Sequence, residues 1–196
     1  MMTAQDFINR LIHIATQRWT YYDYSFPGNC GQIHHDGVLS FDCIGLVKSV
    51  INEPDIAYKY TPVGYYVAPG QVIGDIGEIN ILYECSDVVW SDFTNIADGE
   101  YLYMSGHGGW YIGDRGDVNV VECTYVPDWG ANGVVCSWVD PDGTRRDMKG
   151  GSIIGKWEAH GKMSKYIKYA KTGWSKENGK WYYYDAGTKR TGWLCD

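Results

Sequence analysis

Phe7, Ile8, Leu11, Ile12 and Ala15 recur at three- and four-residue spacing, the signature of one apolar helix face. Thr3 stands where an N-cap belongs and Asp6 falls in the first turn, so the spacing predicts a helix from there to about Gln17. From Trp19 to Leu39 the chain is rich in Tyr, Gly, Asn and Pro and has no period, which reads as a long loop. The apolar pattern returns after Phe41-Asp42-Cys43. There Ile44, Val47, Val50 and Ile51 mark a second helix face, and Pro54 lies just past its end. Between residues 55 and 100 the pattern is weaker, with a helix around Ile76–Tyr83 and a turn at Asn95–Gly99. From Glu100 onward strands replace helices: Tyr101–Met104, Gly108–Ile112, Val118–Cys123 and Val134–Trp138, separated by Gly/Asp turns. Pro141-Asp142-Gly143 is a hairpin turn. Helices first and strands afterwards predict an α+β domain.

The C-terminal stretch follows another rule. Thr172-Gly173-Trp174 and Thr191-Gly192-Trp193 repeat at nineteen residues, with Lys180-Trp181-Tyr182-Tyr183-Tyr184 between them. A fixed period of this kind marks a repeat module, so the chain divides at about residue 170, into 1–169 and 170–196. Charge divides it earlier, at about residue 144. Residues 1–144 hold 5 Lys/Arg and 19 Asp/Glu, a charge of −14, whereas 145–196 hold 12 and 5, a charge of +7. The basic end suits an anionic partner, and a phosphate-rich wall polymer satisfies that as well as nucleic acid does.

Composition changes the picture in two places. With 17 Tyr and 9 Trp against 4 Phe, the aromatics carry polar handles, which suits contact with sugars or small cations. Asp6, Asn9 and Arg10 interrupt what would be the apolar centre of a secretory signal, and no run approaches eighteen apolar residues, so a chain made in the cytoplasm is expected. The six cysteines (30, 43, 85, 123, 136 and 195) are scattered, without a CxxC pair, so neither a disulfide scaffold nor a structural zinc site is expected. His34-His35-Asp36 lack metal-ligand spacing and read as a solvated loop, and no cofactor is expected.

Cys43 stands where a loop enters a helix, and a helix N-terminus favours a thiolate by lowering the thiol's pKa. His107, flanked by Gly106 and Gly108 at the head of an aromatic strand, has a ring free to face a neighbouring segment and suits a general base. Glu122 is a lone carboxylate in the apolar run Val120-Val121-Glu122-Cys123, at hairpin distance from that histidine. It either orients the imidazole or faces solvent.

Ser40-Phe41-Asp42-Cys43-Ile44-Gly45-Leu46-Val47 resembles the D-C-S-G nucleophile motif of NlpC-type cysteine peptidases, and Gly106-His107-Gly108-Gly109-Trp110-Tyr111-Ile112-Gly113 resembles their histidine strand. Glu122 falls where that family carries its third polar residue, and Tyr22, in Thr20-Tyr21-Tyr22, corresponds to its active-site tyrosine. Ile44 departs from the usual serine, and Glu122 from the more frequent histidine. The resemblance spans residues 3–169 and implies a papain-like fold, N-terminal helices packed on an antiparallel sheet. It also implies hydrolysis of a peptidoglycan amide through a thioester, most often within the stem peptide, with the N-acetylmuramoyl–L-alanine amide as the alternative bond. Residues 170–196 resemble a choline-binding, cell-wall-binding repeat, a β-hairpin unit in which Trp174, Trp181 and Tyr183 or Trp193 would box a quaternary ammonium. Together these imply a phage or prophage endolysin, or a host autolysin, acting on the Gram-positive wall. Choline or teichoic acid would bind the repeat, and neither nucleic acid nor a membrane would be a partner. A second chain could complete the aromatic box. A wall-binding module without activity is the expectation from a different class.

Overall fold

The computed structural model describes residues 1–16, 20–22, 30–33, 39–52, 72–74, 76–171, 173–185 and 187–190, with backbone only for 20–22, 30–33 and 39–40. Strand β1 (Met2–Thr3) leads directly into helix α1 (Ala4–Ala15), whose N-cap Thr3 accepts the Asp6 N–H through its hydroxyl. The helix stops at Thr16, a residue short of the sequence expectation, and buries Phe7, Ile8, Leu11 and Ile14. Each such side chain stabilises the fold by roughly 1.5–3 kcal/mol relative to exposure.

The stretch expected to be a long loop contains β2 (Thr20–Tyr22), β3 (Cys30–Ile33) and β4 (Leu39–Phe41), which pair in the order β2-β4-β3. Its Gly, Asn and Pro residues hid short strands whose pairing is set by register with one another, which no local period reveals. Helix α2 (Cys43–Asn52) follows and is buried from Cys43 to Ile51, and α3 (Glu78–Glu84) lies close to where its periodicity put it.

The remaining strands are β5 (Ser86–Trp90), β6 (Tyr101–Met104), β7 (His107–Tyr111), β8 (Val120–Val126), β9 (Ala131–Val139), β10 (Thr144–Arg146), β11 (Ile153–Lys156) and β12 (Ala159–Lys162). They form an eight-stranded antiparallel sheet in the order β11-β10-β9-β8-β7-β6-β12-β5. The short β13 (Ile167–Lys168) runs parallel to β1 and ties the end of this unit to its beginning. The architecture is α+β.

The two faces of the sheet are both covered. Tyr101, Trp110, Val121 and Cys123 point toward α1 and α2 and join the main core, where Phe7 meets Trp110 edge to face at 6.3 Å. Leu102 and Val120 point the other way and pack with Phe93, Val139 and Trp157 in a smaller apolar cluster. Strand alternation thus assigns every second residue of β7 and β8 to that second face, His107 and Glu122 among them.

After the sheet, β14 (Gly173–Glu177), β15 (Lys180–Asp185) and β16 (Thr188–Lys189) make a separate three-stranded meander. Asn178 and Gly179, both at positive φ, turn β14 into β15. No helix among the described residues is long and apolar enough to cross a membrane.

Candidate active site

Cys43 is the first residue of α2, and Asp42 caps it. The Asp42 carboxylate accepts the Gly45 N–H and the Asp42 carbonyl accepts the Leu46 N–H at 3.2 Å. The preceding turn is anchored to the sheet by Cys123, whose thiol donates to the Phe41 carbonyl at 3.3 Å. Helix and strand approach closely because residue 108 is glycine. A Cβ there would lie 2.9 Å from Ile44 Cδ1 and 2.7 Å from the Tyr101 ring. At this contact the Gly108 and Ile44 N–H groups favour the charged form of the Cys43 thiol.

The thiol's acidity runs against the expectation from its helix position. Burial, with the Asp42 charge second, pushes the Cys43 pKa up to about 12, and the two N–H groups only partly offset this. Burial is the larger reason, Cys43 being only 9% exposed, and the cap adds to it: Asp42 already places a carboxylate at the helix N-terminus, so the positive end of the helix is spent on that anion. The resting thiol is therefore protonated and needs a base.

His107 opens β7, delivered by the tight Ser105-Gly106 turn in which Gly106 has φ +79°. Its imidazole stacks on Trp157 at 5.5 Å and 21°. Glu122 pairs with Gly109 across the β7–β8 ladder and so sits diagonally from His107 on the same face. Nε2 of His107 lies 2.6 Å from Glu122 Oε2. Glu122 is fully buried, which excludes the solvent-facing alternative.

Two residues that sequence reasoning missed complete the carboxylate's shell. Ser137 on β9 donates to Oε1 at 2.5 Å, while Arg145 on β10 donates from Nε to Oε1 at 3.0 Å and from Nη2 to Oε2 at 2.5 Å. Arg145 is itself held by Thr124 Oγ1 at 3.1 Å and the Ile154 carbonyl at 3.4 Å, and its guanidinium lies 5.7 Å from the Trp157 ring centre. Burial alone would raise the Glu122 pKa. The His107 hydrogen bond and the Arg145 charge overcome it and hold the carboxyl at about 2. An ionised carboxylate only accepts, so His107 carries its proton on Nε2, and in the neutral ring Nδ1 is the basic nitrogen. Only the Pro141-Asp142-Gly143 turn, which folds β10 back on β9, hinted that Arg145 returns to this face.

His160, which is buried, clarifies the contrast with the half-buried His107. His160 Nδ1 pairs with Glu100 and its Nε2 meets the Asp92 carbonyl at 2.9 Å, so neither nitrogen is available for proton transfer. His107 has one engaged nitrogen and His160 has two.

The structure therefore brings the His107 and Glu122 side chains together on one face of the sheet and leaves Cys43 on the other, against the backbone of Gly108. The side chain of Tyr22 lies outside the described residues, as do His34-His35-Asp36 and Trp193. Cys43, Cys85 and Cys136 are free thiols, Cys123 is the thiol bonded to the Phe41 carbonyl, and the side chains of Cys30 and Cys195 are not among those described.

In the hairpin, Trp174 faces Tyr183 and Lys176 faces Trp181 across the ladder, so alternation puts all four on one face. Trp174 and Tyr183 meet edge to face at 5.5 Å, and both tryptophans are 62% exposed. The Lys176 ammonium lies 5.8 Å from the Trp181 ring centre, where an external cation would sit.

Comparison with protein-family models, curated proteins and solved structures finds no match to this chain.

Proposed function

We propose that the chain is a cysteine hydrolase of the NlpC type with a papain-like site, cutting an amide bond of peptidoglycan. The observation that carries this reading is the convergence at Gly108. Gly108 lets the Cys43 helix pack directly on β7, while the adjacent His107, on the opposite face of that strand, bonds an ionised, buried Glu122 through Nε2 and leaves Nδ1 unbonded among the described residues.

In the proposed reaction a base takes the Cys43 proton as sulfur attacks the amide carbon and the carbonyl electrons move to oxygen. The family resemblance gives that role to His107. Its side chain lies on the face of β7 opposite Cys43, so its ring has to turn round the head of the strand to act. The Cys43 N–H and, by the family resemblance, the Tyr22 hydroxyl stabilise that oxyanion. Collapse breaks the C–N bond, the amine leaves with the proton from His107, and a thioester remains. Water, deprotonated by His107, then releases the acid and restores the thiol. A thiol with its pKa near 12 gains most from a base that acts only as substrate excludes water.

Stem-peptide cleavage by an endolysin is the reading taken, with the muramoyl–alanine amide or an autolysin as alternatives at the same site. Cys43 burial favours one rival from a different class, a wall-binding protein whose catalytic fold is idle. Clearing of Gram-positive wall suspensions separates them. Wild type is expected to clear walls, and Cys43→Ala to lose activity by at least about a thousandfold with an unchanged circular dichroism spectrum. Equal clearing by both eliminates the cysteine mechanism, and wall pulldown without clearing by either supports the rival. Mass spectrometry of the released fragments identifies the bond from its new termini.

A further inference from the structure

Glu122 has no exposed surface, and a buried carboxylate paired with a histidine alone stabilises that histidine as imidazolium. An imidazolium cannot take the proton of a thiol. A base in this position therefore needs the carboxylate charge to be balanced by some other group. Arg145 is the described cation that reaches it. Its Nε and Nη2 engage both carboxylate oxygens, and Thr124 and the Ile154 carbonyl hold the fork in place.

We propose that Arg145 is a positioning residue that neutralises Glu122, so that the carboxylate orients the His107 ring without committing it to the charged form. The inference rests on reading His107 as the base. It adds a requirement that the family motifs do not carry, a cation from the β9–β10 hairpin.

The groups that face this pair among the described residues are few. Glu122 meets His107 from β7, Arg145 from β10 and the Ser137 hydroxyl from β9, with the Cys123 thiol beside it on β8. His107 meets Glu122 and the Trp157 ring, and Cys43 with Asp42 lies across Gly108 on the α2 side. Arg145 is thus the positive charge on Glu122 other than the histidine itself.

The test reads the His107 ring by ¹⁵N NMR on full-length protein, assigned with His107→Gln, and needs no substrate. In wild type, over the pH range in which walls are cleared or Cys43 is alkylated by iodoacetamide, the ring is expected to be neutral with its proton on Nε2. A doubly protonated ring over that range overturns the proposal. Arg145→Met and Arg145→Gln are expected to raise the His107 titration midpoint by about one pH unit or more, which is about a tenfold loss of neutral ring at fixed pH. Arg145→Lys, which keeps the charge, is expected to restore the midpoint. An unchanged or lowered midpoint in a folded neutral variant overturns the proposal, because a merely structural Arg145 would alter melting temperature without moving the titration. If neither neutral variant folds, the wild-type ring state still decides. Failure to clear walls together with the expected shifts would overturn the peptidoglycan reading and leave the charge clamp standing.

Discussion

Glu122 is the side chain on which most of the site's polar bonds converge, and its consequences are residue-scale. Four donors reach its two oxygens, from His107, Ser137 and twice from Arg145, and the carboxylate itself has no exposed surface. Its carboxyl is held at about 2, below the ordinary 4.5, so the folded state binds this proton less readily than the unfolded chain does. The stabilisation is therefore fully present above about pH 4.5 and is lost as pH falls through about 2. Urea unfolding from pH 7 to pH 2.5 should show this loss in wild type and a smaller loss from the same groups in Glu122→Gln. At neutral pH Glu122→Gln should be the less stable of the two, because Arg145 is then left without its anion. Identical pH dependence in both proteins would remove Glu122 as the source.

At the scale of elements, the contact between α2 and β7 decides how closely Cys43 approaches the strand that carries His107. Gly108 is the narrow point, since Ile44 and Tyr101 occupy the space where a side chain would begin. Gly108→Ala is expected to cost about 1–3 kcal/mol through overpacking, a drop in melting temperature that calorimetry measures. On the proposed function it should also slow wall clearing by more than the loss of folded protein explains, because the Cys43 helix is pushed away from β7. An equivalent substitution at Gly74, where nothing lies within 4 Å of the added carbon and φ is likewise not positive, controls for the loss of a glycine alone.

At the scale of the whole molecule, the eight-stranded sheet and the small C-terminal meander are separate sheets that carry opposite charge tendencies. The meander exposes Trp174 and Trp181 on one face, with Lys176 over Trp181 as an internal cation. If that face holds a quaternary ammonium, Trp181→Ala should lower retention on immobilised choline. Lys176→Ala should raise it severalfold by freeing the ring, since a cation–π contact is worth about 0.5–1 kcal/mol at an exposed site. Undiminished retention of Trp181→Ala would rule out the aromatic face as the binding surface, while clearing by the catalytic unit would be unaffected.

Local pattern by itself determined α1 with its Thr3 cap, the start of α2 at Cys43, the strands from Tyr101 to Trp138 and the α+β class, because each rests on a short-range period or a capping residue. It also singled out Cys43, His107 and Glu122, through a helix start, a glycine-flanked ring and a lone charge in an apolar strand. Tertiary structure alone decided three things. It paired β2, β3 and β4 inside a stretch without periodicity. It reversed the expected acidity of Cys43, since burial and the Asp42 cap outweigh the helix N-terminus. It also brought Ser137 and Arg145 onto Glu122 from strands fifteen and twenty-three residues away. Those outcomes depend on which strands become neighbours and which face each side chain takes, and only the closed sheet settles both.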